Sequence, residues 1–321
     1  MTDRPILGID LGGTKIRTGL IDRDGTVLYS DYQPTRANEG PESVIRRIIA
    51  GIERVLGQAG LGHDGISSIG IGAPGPLDIP RGLLIEPPNL PGWHDVPLRN
   101  IIQARIGVPT YLENDANAAA IGEYLYGAGR GTRDMIYVTV STGIGGGLIL
   151  GGRIYHGLSG GAGEIGHMTV LPYGPHCGCG NRGCLEALAS GTAIAREGQE
   201  LIARGIPTAM GSRDGGEVSA KDVVDAMYRG DAYAEQIVTQ AMAYLGIGMA
   251  NLVNLFNPER IVIGGGLSAL GDGLLIPVRR AIQLRAFSSA SAQVAVALAQ
   301  LGPEVGIVGA AGAAWMAVQQ A

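Results

Sequence analysis

The chain has 321 residues, more than one small core organises and enough for two domains. Hydrophobic residues make up 45% of it, yet no apolar run approaches the ~20 residues of a membrane helix, so a membrane-bound role is not expected. The net charge is −5 and no Lys/Arg-rich run stands out, which leaves nucleic-acid binding unsupported as a main activity.

The opening MTDRPILGID lacks a basic region followed by an apolar core, so no secretion signal is expected. Three cysteines cannot all pair, and free thiols fit a reducing, cytoplasmic compartment. The 54 glycines cluster between apolar runs, a pattern of tight backbone approaches to a ligand more than of disorder.

In chain order, residues 5–11 form an apolar run ending in Gly-Gly-Thr. Residues 16–21 and 26–33 read as strands joined by Asp24-Gly25, a hairpin turn. Val44, Ile45, Ile48, Ile49, Ile52, Val55 and Leu56 recur at helical spacing over 41–58. A short strand at 66–71 precedes a Pro/Gly-rich loop over 72–93, expected to be functional. Asp95 is placed to cap a helix over 96–105, and a strand at 109–112 leads to Asn114, placed to cap a helix over 115–126. Residues 134–140 and 146–150 repeat the opening pattern of strand, glycine turn, strand. Helices follow at 184–203, 220–228, 232–256, 274–284 and 306–318, with strands at 260–263 and 294–299 and a polar loop over 204–217. Two halves of hairpin strands followed by alternating helices and strands predict an α/β protein with a cleft between them.

The stretch EIGHMTVLPYGPHCGCGNRGCLE, residues 164–186, holds all three cysteines. Cys177, Cys179 and Cys184 with His167 complete a tetrahedral Cys3His zinc shell. The interleaved Gly178, Gly180 and Gly183 permit the positive φ angles that turn several side chains toward one point. The plainer alternative is three unrelated thiols and a surface histidine. His176 is a rival ligand but is the immediate neighbour of Cys177. Four protein ligands leave no open position, so the predicted zinc is structural.

Four stretches together resemble the ROK family of sugar kinases: this cysteine segment, Asp10-Leu11-Gly12-Gly13-Thr14-Lys15, Leu112-Glu113-Asn114-Asp115-Ala116-Asn117-Ala118, and Ser141-Thr142-Gly143-Ile144-Gly145-Gly146-Gly147. They occur in the family's order and cover nearly the whole chain. The resemblance implies a duplicated ribonuclease-H-like (actin-like ATPase) fold of two lobes around a cleft. It places a small lobe at 1–120, joined by the last helix (305–321), and a large lobe at 121–304 carrying the zinc segment. It also implies a homo-oligomer, dimer or tetramer.

Asp10 ends a strand, where a carboxylate can orient hydrated Mg²⁺, and the turn through Gly12, Gly13, Thr14 and Lys15 offers backbone N–H groups to phosphate oxygens. An ordinary glycine hairpin is the alternative. No G-x-x-x-x-G-K-[ST] P-loop is present. The resemblance makes Thr142 and Gly143 part of the ATP phosphate cradle and turns Gly265 and Gly266 toward adenine or ribose; close backbone packing is the alternative for each. Gly70–Gly75 and Gly264–Ala269 fit G-x-G-x-x-G/A patterns, but the first runs into proline-rich sequence. The strand after the second ends without an acid, which disfavours dinucleotide binding.

Asp115 is the candidate catalytic base: a sugar hydroxyl loses its proton as it attacks the terminal phosphoryl group. A helix N-terminus weakens that base, which a largely dissociative transition state tolerates. Asn114 is a candidate for a neighbouring hydroxyl, with simple helix capping as the alternative. Glu164, His167 and Glu186 are candidates for further hydroxyl contacts, as the resemblance implies, with solvated charge as the alternative for the two glutamates; His167 can hold metal with one ring nitrogen and sugar with the other. Asn89 matches the family's sugar-contacting asparagine.

ATP-dependent phosphorylation of an aldohexose at its 6-hydroxyl is therefore the expected activity, with glucose first. Fructose, mannose, allose and N-acetylated hexosamines stay open, as does polyphosphate as donor. A non-enzymatic sugar sensor is the second expectation, weakened because the first strand begins near residue 5 and leaves no room for a helix-turn-helix. A nucleotide-dependent oxidoreductase fails on the glycine contexts.

Overall fold

The computed structural model describes residues 4–211 and 216–320, so the expected loop over 204–217 lies partly outside the described residues. The first sheet has the order β3-β2-β1-β4-β7. Its strands are β1 (Ile6–Leu11), β2 (Lys15–Ile21), β3 (Val27–Pro34), β4 (Ile69–Ala73) and β7 (Thr110–Asn114), with a two-stranded ribbon of β5 (Leu77–Asp78) and β6 (Leu83–Leu84) in the long loop. The pairs β1–β2 and β2–β3 are antiparallel, and β1, β4 and β7 run parallel. Asp24-Gly25 closes the hairpin as the dipeptide predicts. Asp22 Oδ1 accepts from the backbone N–H groups of Asp24 (2.9 Å) and Thr26 (2.8 Å).

Helices α1 (Pro41–Ala59), α2 (Leu98–Ile106) and α3 (Asp115–Tyr126) are among those that accompany this sheet. The 3.6-residue spacing in α1 buries Val44, Ile45, Ile48, Ile52, Val55 and Leu56 in one core cluster with Leu7, Ile9 and Leu11 of β1 and Ile16 and Leu20 of β2. Helix α2 starts two residues later than predicted, after Pro97, and Asp95 does not cap it; Asp95 adopts a left-handed conformation in the preceding turn. Pro97 has no N–H, so a start behind it leaves one fewer donor to satisfy.

The second sheet has the order β10-β9-β8-β11-β12, formed by β8 (Met135–Val140), β9 (Ile144–Leu150), β10 (Arg153–Ile154), β11 (Arg260–Gly264) and β12 (Ala295–Leu298). Its β8, β11 and β12 are parallel, and its β9–β10 hairpin is antiparallel. Strand for strand this is the first sheet again, so the repeat seen in the opening pattern extends to topology. The accompanying helices are α4 (Leu185–Ala189), α5 (Gly191–Ala203), α6 (Ala220–Tyr228), α7 (Ala232–Phe256), α8 (Asp272–Arg285) and α9 (Ser288–Ser291), and α10 (Val305–Gln320) closes the chain.

The single helix predicted over 184–203 is two helices. Ser190 between them is extended, and its hydroxyl accepts from the Ala193 N–H at 3.1 Å as the N-cap of α5. A serine before glycine satisfies a new helix start better than it continues an old one.

The chain divides into two compact units, one of Met1–Arg133, Gly147–Gly163 and Gln300–Ala321, the other of Asp134–Gly146 and Glu164–Ala299. The lobe boundary expected at residue 120 lies within the unbroken helix α3, which belongs wholly to the first unit. Helix α10 packs its backbone onto β1 and β4, where a Cβ on Gly8 or Gly70 would overlap the carbonyls of Ile307 and Ala310. No helix among the described residues is long and apolar enough to cross a membrane.

Candidate functional site

In the first unit the parallel strands deliver their C-terminal ends to one set of turns. β1 ends at Asp10-Leu11, and the turn to β2 is closed by Gly12 N–H donating to Lys15 O at 2.9 Å. The Thr35 hydroxyl donates to Gly12 O at 2.6 Å and fixes the turn from outside. Thr14 and Lys15 are exposed. Burial pushes the Asp10 carboxyl up, and Lys15 and Arg17 pull it back down. Gly13 has no room for a side chain, because a Cβ there would lie 2.8 Å from both the Cβ and the carbonyl oxygen of Asn89. The structure thus brings Asn89 against the Asp10–Lys15 turn, although 76 residues separate Gly13 from Asn89 in sequence.

β7 ends at Asn114, and Asp115 opens α3. Asn114 Oδ1 accepts from the N–H groups of Ala116 (3.0 Å) and Asn117 (3.2 Å), so the capping alternative holds for its oxygen. Its amide nitrogen faces Gly75, where a Cβ would come 3.6 Å from Nδ2. Asp115 lies on the first turn of α3, is exposed, and its Oδ1 accepts from the Ala116 N–H at 2.7 Å.

In the second unit His167, Cys177, Cys179 and Cys184 converge, with one ligand atom from each lying within 4.8 Å of all the others. Cys179 and Cys184 sulfurs are 3.7 Å apart, and Cys177 Sγ is 3.6 Å from His167 Nδ1. A tetrahedral zinc shell with Zn–S of about 2.3 Å spaces its ligand atoms by ~3.5–3.8 Å. The donor set and spacing therefore fit zinc. Burial pushes the Cys184 thiol up to about 12, so a thiolate there needs a cation beside it. Gly180 and Gly183 take positive φ, 90° and 65°. His176 is turned away, its Nε2 lying 2.6 Å from Arg182 Nη2.

The acids flanking this knot behave differently. Glu164 is exposed, and its Oε2 lies 3.9 Å from His167 Nε2, the ring nitrogen that faces away from the thiols. Glu186 Oε2 accepts from the Ile144 N–H at 2.9 Å, in the turn that carries Thr142 and Gly143. The start of α5 reaches the same turn. Gly191 N–H donates to Ser141 O at 2.7 Å, and the Thr192 hydroxyl to Thr142 O at 2.8 Å.

Beside this turn is a cavity of about 660 Å³ lined by Ser141, Thr142, Thr192, Lys221, Tyr228 and Gly266 among others. Gly265 stands one residue from that lining and is packed on the backbone of Val140. Thr192, Lys221 and Tyr228 escape sequence reasoning. Only the Ser219–Asp222 capping box, which starts α6 and so aims Lys221, is visible as a local pattern.

Two buried acids were also missed. Glu113 pairs with His156, their Oε2 and Nε2 2.8 Å apart. Glu123 is fully buried and accepts from the N–H groups of Ala128 (2.8 Å), Gln300 (2.9 Å) and Leu301 (2.8 Å). Glutamates at helical or strand positions carry no local sign of burial.

The model of the ROK family matches residues 6–319. A glucokinase from Halalkalibacterium halodurans is 37% identical over 323 residues, covering 100% of this chain and 97% of the relative. A ROK hexokinase from Thermus thermophilus superposes with a TM-score of 0.84 at 41% identity, over 99% of this chain and 100% of that one. A ROK family glucokinase from Streptomyces griseus, solved in complex with glucose and AMPPNP, gives a TM-score of 0.79 at 35% identity over 96% and 98%.

Proposed function

This chain belongs to the ROK family, and from that premise we propose that it phosphorylates a hexose with ATP, glucose to glucose 6-phosphate in the first place. The observation that carries the reading is the match to proteins named glucokinase over nearly the whole chain, together with an Asn114-Asp115 pair at the start of a helix.

Asp115 accepts the proton of the attacking hydroxyl. Asn114 spends its oxygen on the helix and keeps amide hydrogens for a neighbouring hydroxyl. Asn89, Glu164, His167 and Glu186 complete the proposed sugar-binding set. ATP is proposed to fill the cavity lined by Thr142, Thr192 and Gly266, and Gly143 and the N–H groups of Gly12, Gly13, Thr14 and Lys15 are the candidate phosphate contacts. Mg²⁺, when bound, neutralises charge between the β- and γ-phosphates. Asp10 is its proposed holder, and a cation there would offset the burial that otherwise disfavours the ionised carboxyl.

Zinc is proposed to occupy the Cys3His knot in a structural role. His167, with Nδ1 beside the Cys177 sulfur, would be held by such a metal and would keep Nε2, on the Glu164 side, for a sugar hydroxyl. The three reduced cysteines fit work in the cytosol, and a homo-oligomer of two or four copies is the proposed assembly, to be read by light scattering.

The deciding experiment measures ADP release against glucose, fructose, mannose, allose and N-acetylated hexosamines, with ATP or polyphosphate as donor. Glucose with ATP is expected to give the highest kcat/KM. No turnover with any hexose would overturn the reading.

A further inference from the structure

Glu113 is the last residue but one of β7, and its side chain is only 8% exposed. A carboxylate in such a place is costly unless each oxygen is satisfied. Both are. Oε1 accepts from the Asn114 backbone N–H at 2.9 Å and from the Asn117 amide at 3.0 Å. Oε2 meets His156 Nε2 at 2.8 Å, across 43 residues of sequence.

The bonds from Oε1 grip the chain on both sides of Asp115. Asn114 is held at its N–H by Glu113. Asn117 is held by its side chain, while Asn114 Oδ1 takes the N–H groups of Ala116 and Asn117. The aspartate thus sits inside a closed set of hydrogen bonds anchored by the charged side chain of Glu113. His156 anchors that carboxylate in turn. It follows the β9–β10 hairpin, which packs on α3 so closely that a Cβ at Gly147 would lie 2.6 Å from the Ala120 methyl. The His156 carbonyl accepts from the Ala162 N–H at 3.1 Å, which closes the turn that presents the ring. Capping a helix needs no buried carboxylate one residue before the cap, and Asn114 already performs the capping. The charged pair needs another reason to be there.

We propose that Glu113 and His156 are positioning residues for Asp115: the imidazole holds the Glu113 carboxylate, and the carboxylate sets the backbone on which the base is carried. The proposal rests on the kinase reading above. Proton abstraction by a fixed base depends on sub-ångström placement, so loosening the pair acts on turnover more than on ground-state binding of either substrate.

The test uses the full chain and five proteins: wild type, His156→Ala, Glu113→Gln, the double variant, and His156→Gln as the conservative replacement. His156 is part-exposed, so its variants are expected to fold, checked by circular dichroism and metal content. His156→Ala is expected to lower kcat at least tenfold with the KM values for glucose and ATP changed less than threefold. His156→Gln, which can still donate to Glu113, recovers most of that loss. The double variant is no slower than the slower single one, because the two side chains act as a unit. A His156→Ala kcat within twofold of wild type, a loss confined to KM, or additive effects would overturn the proposal while leaving the kinase reading intact. A wild-type protein inactive on every hexose would instead remove the reading itself.

Discussion

Glu186 Oε2 accepts the Ile144 backbone N–H at 2.9 Å, and a Cβ on the neighbouring Gly143 would overlap the same oxygen. One carboxylate that flanks the cysteine knot therefore also shapes the turn proposed for nucleotide phosphates. Sequence reasoning assigns Glu186 to sugar alone. Its second attachment predicts that Glu186→Ala weakens binding of a non-hydrolysable ATP analogue as well as of glucose. A charge-assisted hydrogen bond of this kind is worth about 1.5–3 kcal/mol, so a tenfold loss of nucleotide affinity is expected. Gly143→Ala pushes the carboxylate away and should weaken nucleotide binding similarly. Calorimetric titration reads both, and unchanged nucleotide affinity in both variants contradicts the link.

Asp115→Ala should lower kcat by roughly 10²–10⁴ while glucose still binds. The helix survives because Asn114, not Asp115, supplies the oxygen that caps Asn117. Asn114→Ala is different, costing about 1 kcal/mol of stability with the lost cap in addition to its effect on sugar binding. Kinetics and glucose titration on the two variants, alongside thermal melts, separate these effects.

Metal analysis should return one zinc per chain, and Cys184→Ser should abolish it. Thiols must lose protons to bind, and burial holds the Cys184 thiol up at about 12. Metal uptake is therefore expected to release protons, and affinity to rise steeply with pH. Removal by a chelator should expose residues 164–186 to hydrogen exchange and lower glucose affinity, since His167 loses the ligand bond that orients its ring. Unchanged glucose affinity in verified metal-free protein argues against that coupling.

Glu123 accepts three backbone N–H groups in an environment without solvent access. Glu123→Ala leaves these donors without an acceptor and opens a void, a cost on the order of 3–5 kcal/mol. A lowered melting temperature with the metal content unchanged is the expected signature. Glu123→Gln, which keeps an acceptor oxygen, should cost less.

The Glu113 hydrogen bond and charge hold the His156 pKa above its ordinary value, against partial burial that lowers it. A folded-state pKa above the unfolded one, about 6.5, means the pair contributes its full stability below that value. The contribution is lost as pH rises through the elevated folded pKa. Melting temperatures of wild type and His156→Gln should therefore converge as pH is raised from 6 toward 9. A difference independent of pH would show that the imidazolium charge adds nothing.

Much of this protein is visible along the chain without coordinates. The period-3.6 apolar face of α1, the Asp24-Gly25 hairpin, the limits of α6 and α7 and the strand-turn-strand repeat are properties of neighbouring residues. So is the cluster of one histidine and three cysteines, because three of its members lie within eight residues and the fourth is ten residues before the first of them. Helix boundaries were less legible where a side chain has two good local uses, as Ser190 does.

Residue spacing and turn chemistry by themselves determined most of the secondary elements, the duplicated plan and the candidate cluster of one histidine and three cysteines, since each is decided within a few turns of backbone. Only the tertiary structure decided that Glu113 meets His156, that Glu186 reaches the Ile144 N–H, and that Glu123 is buried beneath Gln300 and Leu301. The reason is physical. A carboxylate carries the same charge wherever it stands in the sequence, and its role depends on which distant segment folds back to share or remove its water.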